Sequence, residues 1–409
     1  MSGKTFCGSL RGLLYALTWD GCRGLVGALS QDLLDNTTKK TYLDHLELLG
    51  MKEGVHWWYA DRQQQIVFKN GSVIRFKTLS DWRTLMSEQF TWIEFEEASF
   101  IDEVTFKNLM TRLREIKRPH WKNYFHSMFL HSNPQGKRGW IYRLFINPKT
   151  KIPYYRYVTA SSRENYHLGD TYIELLQDLY SQEEFEQMVE GRDIDTDNKV
   201  AFPQFDEEKN VTDVKYNEKA PLILSCDFNF NPMCWYLMQE YDGKWHVLTE
   251  LIGQNVTTKE MCAKVQSTIS QYNTKRLIIM GDAHGRDRKT NGSDYSVMLQ
   301  HFDLAGYNVE LRVQNNNPLI KDRLSILRAY LRNAKGERRL FVDKSCTKLI
   351  YNLSEAENDL AKAGLKMPTD KDIKNDPSKL FLIHPIDAVS YPIYYLSRLR
   401  QMSGESTEL

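Results

Sequence analysis

No stretch of this 409-residue chain is apolar over a membrane-spanning length, and no signal peptide opens it. Neither an integral membrane protein nor a secreted one is expected. Cysteine is scarce. Six residues, Cys7, Cys22, Cys226, Cys234, Cys262 and Cys346, show no CxxC pair and no metal-ligand spacing. That argues against a disulfide framework and for reduced, structural thiols in a cytoplasmic protein. A dominant charge is missing too. The net charge is +1, which neither supports nor excludes nucleic acid, because a local basic groove can hide in a neutral total. What is present is ordinary for a globular protein, 41% apolar and 26% charged residues. The length exceeds one ordinary core, so two domains are expected.

The stretch Pro221–Pro232, PLILSCDFNFNP, reads as a short buried strand ending on Asp227. Two further acids sit at the edges of similar apolar runs, Asp282 in RLIIMGDAHG and Asp387 in LFLIHPIDAVSYPIYY. Carboxylates presented from separate buried elements can converge at one end of a sheet. There their hard oxygens suit two divalent cations, Mg²⁺ or Mn²⁺, which together can drive phosphodiester cleavage. The plainer alternative is that each acid caps a helix or starts a turn.

The chain begins MSGKT and continues into a helical pattern over 6–17. Gly3, Lys4 and Thr5 read as the second half of a phosphate-binding loop, with Lys4 for the β and γ phosphates of ATP and Thr5 for its Mg²⁺. The first half of GxxxxGK[ST] does not precede them, so an N-terminally truncated loop, with negligible ATP turnover by residues 1–409, is expected. CRGLVGALS then reads as a strand and 31–49 as a helix. VHWWYADRQQQIVFKNGSVIRFKTL reads as a hairpin turning at Asn70-Gly71. FTWIEFEEASFI ends in paired acids. Glu96 is placed to act on the Mg²⁺ shell and Glu97 to polarise the attacking water, with Glu94 a rival for either task. The alternative is an edge strand with a solvated acidic end. A helix over 102–117 carries Lys107, Arg112 and Arg114, and after the next strand Asn133 is placed to sense the γ-phosphate and couple it to movement.

Taken in order, SGKT, GSVIRFKTL, WIEFEEAS and HSNPQG resemble the ATPase of phage large terminases, the motors that package double-stranded DNA. SSRENYHLGDTYIELL, GRD and NKVAFPQF resemble that family's passage out of the motor, and the three-acid order resembles its RNase H-like nuclease. The resemblance implies an α/β protein of two domains, a P-loop ATPase of the ASCE type, truncated at its N-terminus, and an RNase H-like nuclease. It also implies an enzyme acting on double-stranded DNA in the host cytoplasm, with a portal protein and a small terminase subunit as partners and a homo-oligomeric ring as the packaging form. Two other readings stay open, a stand-alone RNase H-like nuclease or resolvase, and a non-catalytic prophage remnant.

The expected boundaries are a motor over 1–195, a linker over 196–220, a nuclease over 221–402 and a disordered tail over 403–409. Within the nuclease a hairpin turns at Asp242-Gly243, and Glu250 ends a strand as either a fourth ligand or a surface acid. The loop after Asp282 carries Arg286, Arg288 and Lys289, which either grip phosphates or are solvated. His284 and His384 lie near the acids in sequence as proton carriers or structural residues. A helix follows Pro318, a second spans 347–361, a mobile loop spans 362–379, and Pro392 is expected to kink the last helix.

Overall fold

Apolar runs flanked by turn residues become strands, and the computed structural model describes them within residues 3–115, 126–134, 136–137, 139–194, 199–287, 292–359 and 364–403. Contacts divide the chain into two units. One comprises Met1–Ile173 with Glu186–Thr196, and the other Glu174–Phe185 with Asp197–Leu409.

In the first unit, α1 (Lys4–Thr18) leads to β1 (Arg23–Ala28). A helical stretch follows, made of α2 (Gln31–Leu33), a wider π turn (Leu34–Lys39) and α3 (Lys40–Leu48). Strands β2 (Trp57–Ala60), β3 (Gln65–Phe68) and β4 (Val73–Thr78) run antiparallel to one another, with Asn70-Gly71 turning the second hairpin as expected. β5 (Trp92–Phe95), α4 (Glu103–Met110) and β6 (Ser127–Leu130) complete a sheet of order β2-β3-β4-β1-β5-β6. β5 pairs in parallel with β1 on one side and β6 on the other. It is therefore an interior strand, buried at every residue, and not the solvated edge strand of the alternative reading. Parallel strands covered on both faces need continuous apolar sequence, which TWIEF supplies apart from Glu94. One face packs Val26, Trp92 and Phe76 against Leu13, Ala16, Tyr42 and Leu46 of α1 and α3. The other packs Leu25, Ile93 and Phe95 against Phe106 and Leu109 of α4.

The helix expected over 102–117 is shorter. Asp102 caps α4 by accepting from the Thr105 amide, and the helix ends at Met110; residues 116–125 lie outside the described residues. The chain passes between the units through α5 (Asp170–Leu179) and α6 (Gln182–Met188).

The second unit begins earlier than 221. Within the expected linker, Ala201 and Phe202 are fully buried in its core, α7 (Glu207–Asn210) leads into β7 (Val211–Thr212), and β7 joins its sheet. The polar composition there conceals two apolar anchors. β8 (Leu222–Asp227), β9 (Met233–Tyr241) and β10 (Lys244–Gly253) form an antiparallel meander turning at Asp242-Gly243. α8 (Thr258–Ile269), β11 (Arg276–Gly281), α9 (Asp294–Leu304) and β12 (Asn308–Leu311) add two strands parallel to β8. α10 (Ile320–Leu331) and β13 (Leu340–Asp343) follow. The sheet reads β12-β11-β8-β9-β10-β13-β7, so the five strands from β12 to β10 have the RNase H order, an antiparallel meander of three flanked by two parallel strands. α8 and α9 cover one face. α10, α11 (Thr347–Glu355) and α13 (His384–Ser403) cover the other. Each aliphatic side chain buried there contributes about 1.5–3 kcal/mol.

The loop expected over 362–379 contains α12 (Asp370–Asn375), opened by a Thr369–Asp372 capping box, and a 3-10 turn over Pro377–Phe381. α11 stops at Glu355, short of 361. α13 runs through Pro392. That proline cannot donate to the Ala388 carbonyl four residues back, and the Ser225 hydroxyl of β8 donates to it instead at 2.5 Å. The tail over 404–409 lies outside the described residues.

Candidate functional site

Ligands of open α/β sheets gather where parallel strands end, and both units place acids there. In the first unit, β5 runs out into Glu96 and Glu97 and β6 into His131 and Asn133, while α1 brings Lys4 and Thr5 to the same end. Lys4 Nζ donates to Asn133 Oδ1 at 2.8 Å, and Thr5 Oγ1 donates to Glu96 Oε1 at 2.5 Å. Gly3 takes a left-handed conformation (φ 74°) at the head of α1 and offers no side-chain cap, so the first amides of the helix have no capping side-chain oxygen. Residues 129 positions apart in sequence thus close into one cluster.

Glu96 and Glu94, two residues apart on a strand, share a face. His131 Nδ1 lies 3.1 Å from Glu96 Oε2 and 3.3 Å from Glu94 Oε1. Burial works against the charged ring, but the two carboxylates prevail and hold His131 up to about 9. Glu94 is fully buried, accepts from the Tyr42 hydroxyl, and is pushed up by burial against the pull of His131. It faces Tyr42 and His131 while Thr5 turns to Glu96. Glu97 sits at φ 47°, a strained conformation for a side chain of its size, and burial raises its carboxyl against the opposing Lys4 charge. A carboxyl so raised holds a proton more readily than a free one. Glu94, Glu96 and His131 form the one group of three metal-capable side chains within 4.8 Å of one another among the described residues. The Thr5 hydroxyl and Glu96 carboxylate, aimed at each other, are hard oxygens of the kind that could hold a Mg²⁺. Sequence reasoning missed His131 and Tyr42. Their one signal is position, His131 directly before Ser132-Asn133 and Tyr42 on the inner face of α3.

In the second unit, β8 and β11 are neighbours, with Cys226 paired to Gly281. Asp227 and Asp282 therefore leave adjacent parallel strands at the same end. Gly281 has φ 149°, and a Cβ there would meet the Cys226 carbonyl at 2.2 Å, which explains the glycine before the acid. Asp387 lies in the first turn of α13. Burial raises its carboxyl, Arg323 opposes the rise, and Asp227 adds to it. Tyr391 feels all three acids. This is a crowded anionic pocket whose carboxylate donors fit a divalent cation. The three do not meet within 4.8 Å as a ligand group. Asp227 accepts from the Asn229 amide at 2.8 Å and lies 3.2 Å from His384 Nδ1. Asp282 accepts from Asn317 at 2.6 Å and from the His284 amide at 2.8 Å, so it also caps a short turn.

Glu250 is held by backbone donors: it accepts from the amides of Lys348 at 3.0 Å and Leu349 at 3.2 Å, capping α11. His284 pairs with Asp287 in an exposed turn. Arg286 donates to the Val313 carbonyl, and Arg288 and Lys289 lie outside the described residues.

The first unit thus carries a cluster of Lys4, Thr5, Glu96 and Asn133 at the end of one sheet, and the second an acidic pocket at the end of a sheet with RNase H strand order. Residues 32–192 match the family model of the phage terminase large subunit. The large terminase of a thermophilic bacteriophage superposes with a TM-score of 0.56 at 14% identity, covering 97% of this chain and 91% of that chain. The large terminase of the same phage in complex with ATP-γ-S gives 0.54 at 15% identity, covering 96% and 90%. At such identity the likeness is one of fold. No curated protein matches the chain. The chain is similar to phage large terminases in sequence over 32–192 and in fold over nearly its whole length.

Proposed function

We propose that this chain is the large subunit of a phage terminase, hydrolysing ATP to package double-stranded viral DNA and cutting the concatemer with its second unit. The observation that carries the reading is the closure of Lys4, Thr5, Glu96 and Asn133 into one cluster from three separate elements. Lys4 would bind the β and γ phosphates, Thr5 and Glu96 would hold Mg²⁺, Glu97 would orient water, and Asn133 would lose its Lys4 partner when phosphate arrives and so report occupancy. Bound Mg²⁺ would neutralise charge on the phosphates.

In the second unit Asp227 and Asp282 would hold one Mg²⁺ or Mn²⁺, and Asp387 is the carboxylate a second ion needs. Such ions supply an activated water and stabilise the leaving oxygen. His384 beside Asp227 is placed to move a proton. The motor is assigned to the first unit and the nuclease to the second, working in the host cytoplasm as a ring with a portal protein and a small terminase subunit. No helix among the described residues is long and apolar enough to cross a membrane.

The test is one purified sample assayed for ATP-γ-S binding and for Mn²⁺-dependent plasmid nicking. Lys4→Ala should weaken nucleotide binding more than tenfold and leave nicking intact. Asp227→Ala should abolish nicking and leave nucleotide binding intact. Full nicking by Asp227→Ala, or unchanged binding by Lys4→Ala, removes the corresponding assignment.

A further inference from the structure

Arg323 is one of three basic residues on α10, with Lys321 and Arg328. In the fold it is 4% exposed and faces α13. Its Nη2 lies 2.9 Å from Asp387 Oδ1. Its Nη1 donates to Ser390 Oγ at 2.6 Å and lies 3.4 Å from the Asp387 carbonyl oxygen. The guanidinium stands 4.3 Å from the centre of the Tyr391 ring, and its Nε has no hydrogen-bond partner. A permanent cation is thus paired with the carboxylate that the second metal ion needs, and held there by its contacts to Ser390, the Asp387 carbonyl and the Tyr391 ring.

Two features make this grip consequential. Arg323 itself is shielded from water, so its charge acts on Asp387 with less screening than a surface cation would. A divalent cation approaching Asp387 would meet both an occupied oxygen and a like charge a few ångströms behind it. Asp282 differs, since its partners are the neutral Asn317 amide and a backbone amide. The free Nε and the planar fork of the guanidinium suit a phosphate oxygen as an alternative partner.

We propose that Arg323 is a latch on the nuclease: it occupies Asp387, so that the DNA-free protein takes up one divalent cation, and the second enters only when a DNA phosphate draws the guanidinium away. The inference rests on the nuclease reading of Asp227, Asp282 and Asp387. Arg323 acts here as a positioning residue, through Asp387.

The experiment is Mn²⁺ titration of the full chain without DNA, with free Mn²⁺ followed by electron paramagnetic resonance and folding checked by circular dichroism. Wild type should bind one ion, lost in Asp227→Ala. Arg323→Met should bind two, whereas Arg323→Lys, which keeps the charge, should stay at one. Ser390→Ala, which removes an anchor but no charge, should tighten the second site at least tenfold and serves if the methionine variant fails to fold. A short duplex with non-hydrolysable phosphate linkages should raise wild type from one to two. Two equivalent ions in DNA-free wild type, or one ion in a folded Arg323→Met, overturns the latch while leaving the metal site standing. No Asp227-dependent ion in wild type overturns the nuclease reading and the latch with it.

Discussion

Replacing Gly8 by alanine sets two effects of opposite sign against each other. Gly8 lies in the middle of α1, where glycine costs about 1 kcal/mol relative to alanine, so helix propensity alone predicts a more stable protein. The packing predicts the reverse. A Cβ at Gly8 would stand 1.8 Å from His131 Cε1, 2.5 Å from its Nε2 and 2.7 Å from Glu94 Oε1. The ring cannot retreat freely, since Glu94 and Glu96 hold it and Phe129 lies beside it, ring centres 5.7 Å apart. The gap must widen to ordinary van der Waals contact, which requires α1 to lift from the sheet. Overpacking of this kind costs about 1–3 kcal/mol, occasionally more, and at such a distance the upper end applies. The expected net effect is a loss of about 2 kcal/mol, a melting-temperature drop of about 4–8 °C for a unit of this size. Because α1 carries Lys4 and Thr5, ATP-γ-S binding should weaken as well. Cys7→Ala, one residue away and exposed, is the control and should melt within about 1 °C of wild type. Scanning calorimetry with nucleotide titration on the three proteins decides the matter. An unchanged or higher melting temperature for Gly8→Ala, with nucleotide binding intact, would refute the tight seat of α1 on His131.

His131 has a folded-state value of about 9, above its ordinary 6.5. The stability it lends is complete below pH 6.5 and is lost as pH rises towards 9, on the order of 1–3 kcal/mol; thermal melts across that window should fall, and His131→Gln should flatten the fall. Glu250→Ala removes the cap of α11 and should cost about 1–2 kcal/mol in urea unfolding while Mn²⁺-dependent nicking persists; lost nicking in a folded variant would return Glu250 to the metal site. Glu97→Gln should retain ATP-γ-S binding but slow any DNA-stimulated phosphate release by at least tenfold, measured as released phosphate. Unchanged release would shift the water-orienting role away from Glu97.

Much of this protein is determined locally, and the sequence by itself shows it. Continuous apolar runs such as TWIEF and LILSCD can only be strands covered on both faces, and their order with the intervening helical patterns yields the two sheets. Turn chemistry is equally local, as at Asn70-Gly71 and Asp242-Gly243. So is the placement of acids at strand ends, which marks Glu96, Glu97, Asp227 and Asp282 before any coordinates. The tertiary structure decided which of those acids share a partner. Glu94 and Glu96 point the same way from one strand, and no local feature separates them. Packing of α1 and α3 seals Glu94 against Tyr42 and leaves Glu96 to Thr5. Glu250 reads in sequence as a strand-end acid much as Asp227 does, but β10 runs on to Gly253 and α11 places its amides on Glu250, making it a cap. Residues 196–220 read as polar linker because Ala201 and Phe202 are too few to form a pattern, yet helices far along the chain bury them. Arg323 on Asp387 is the same case. A hydrogen bond depends on distance in space, and only the folded chain sets that distance between residues 64 positions apart.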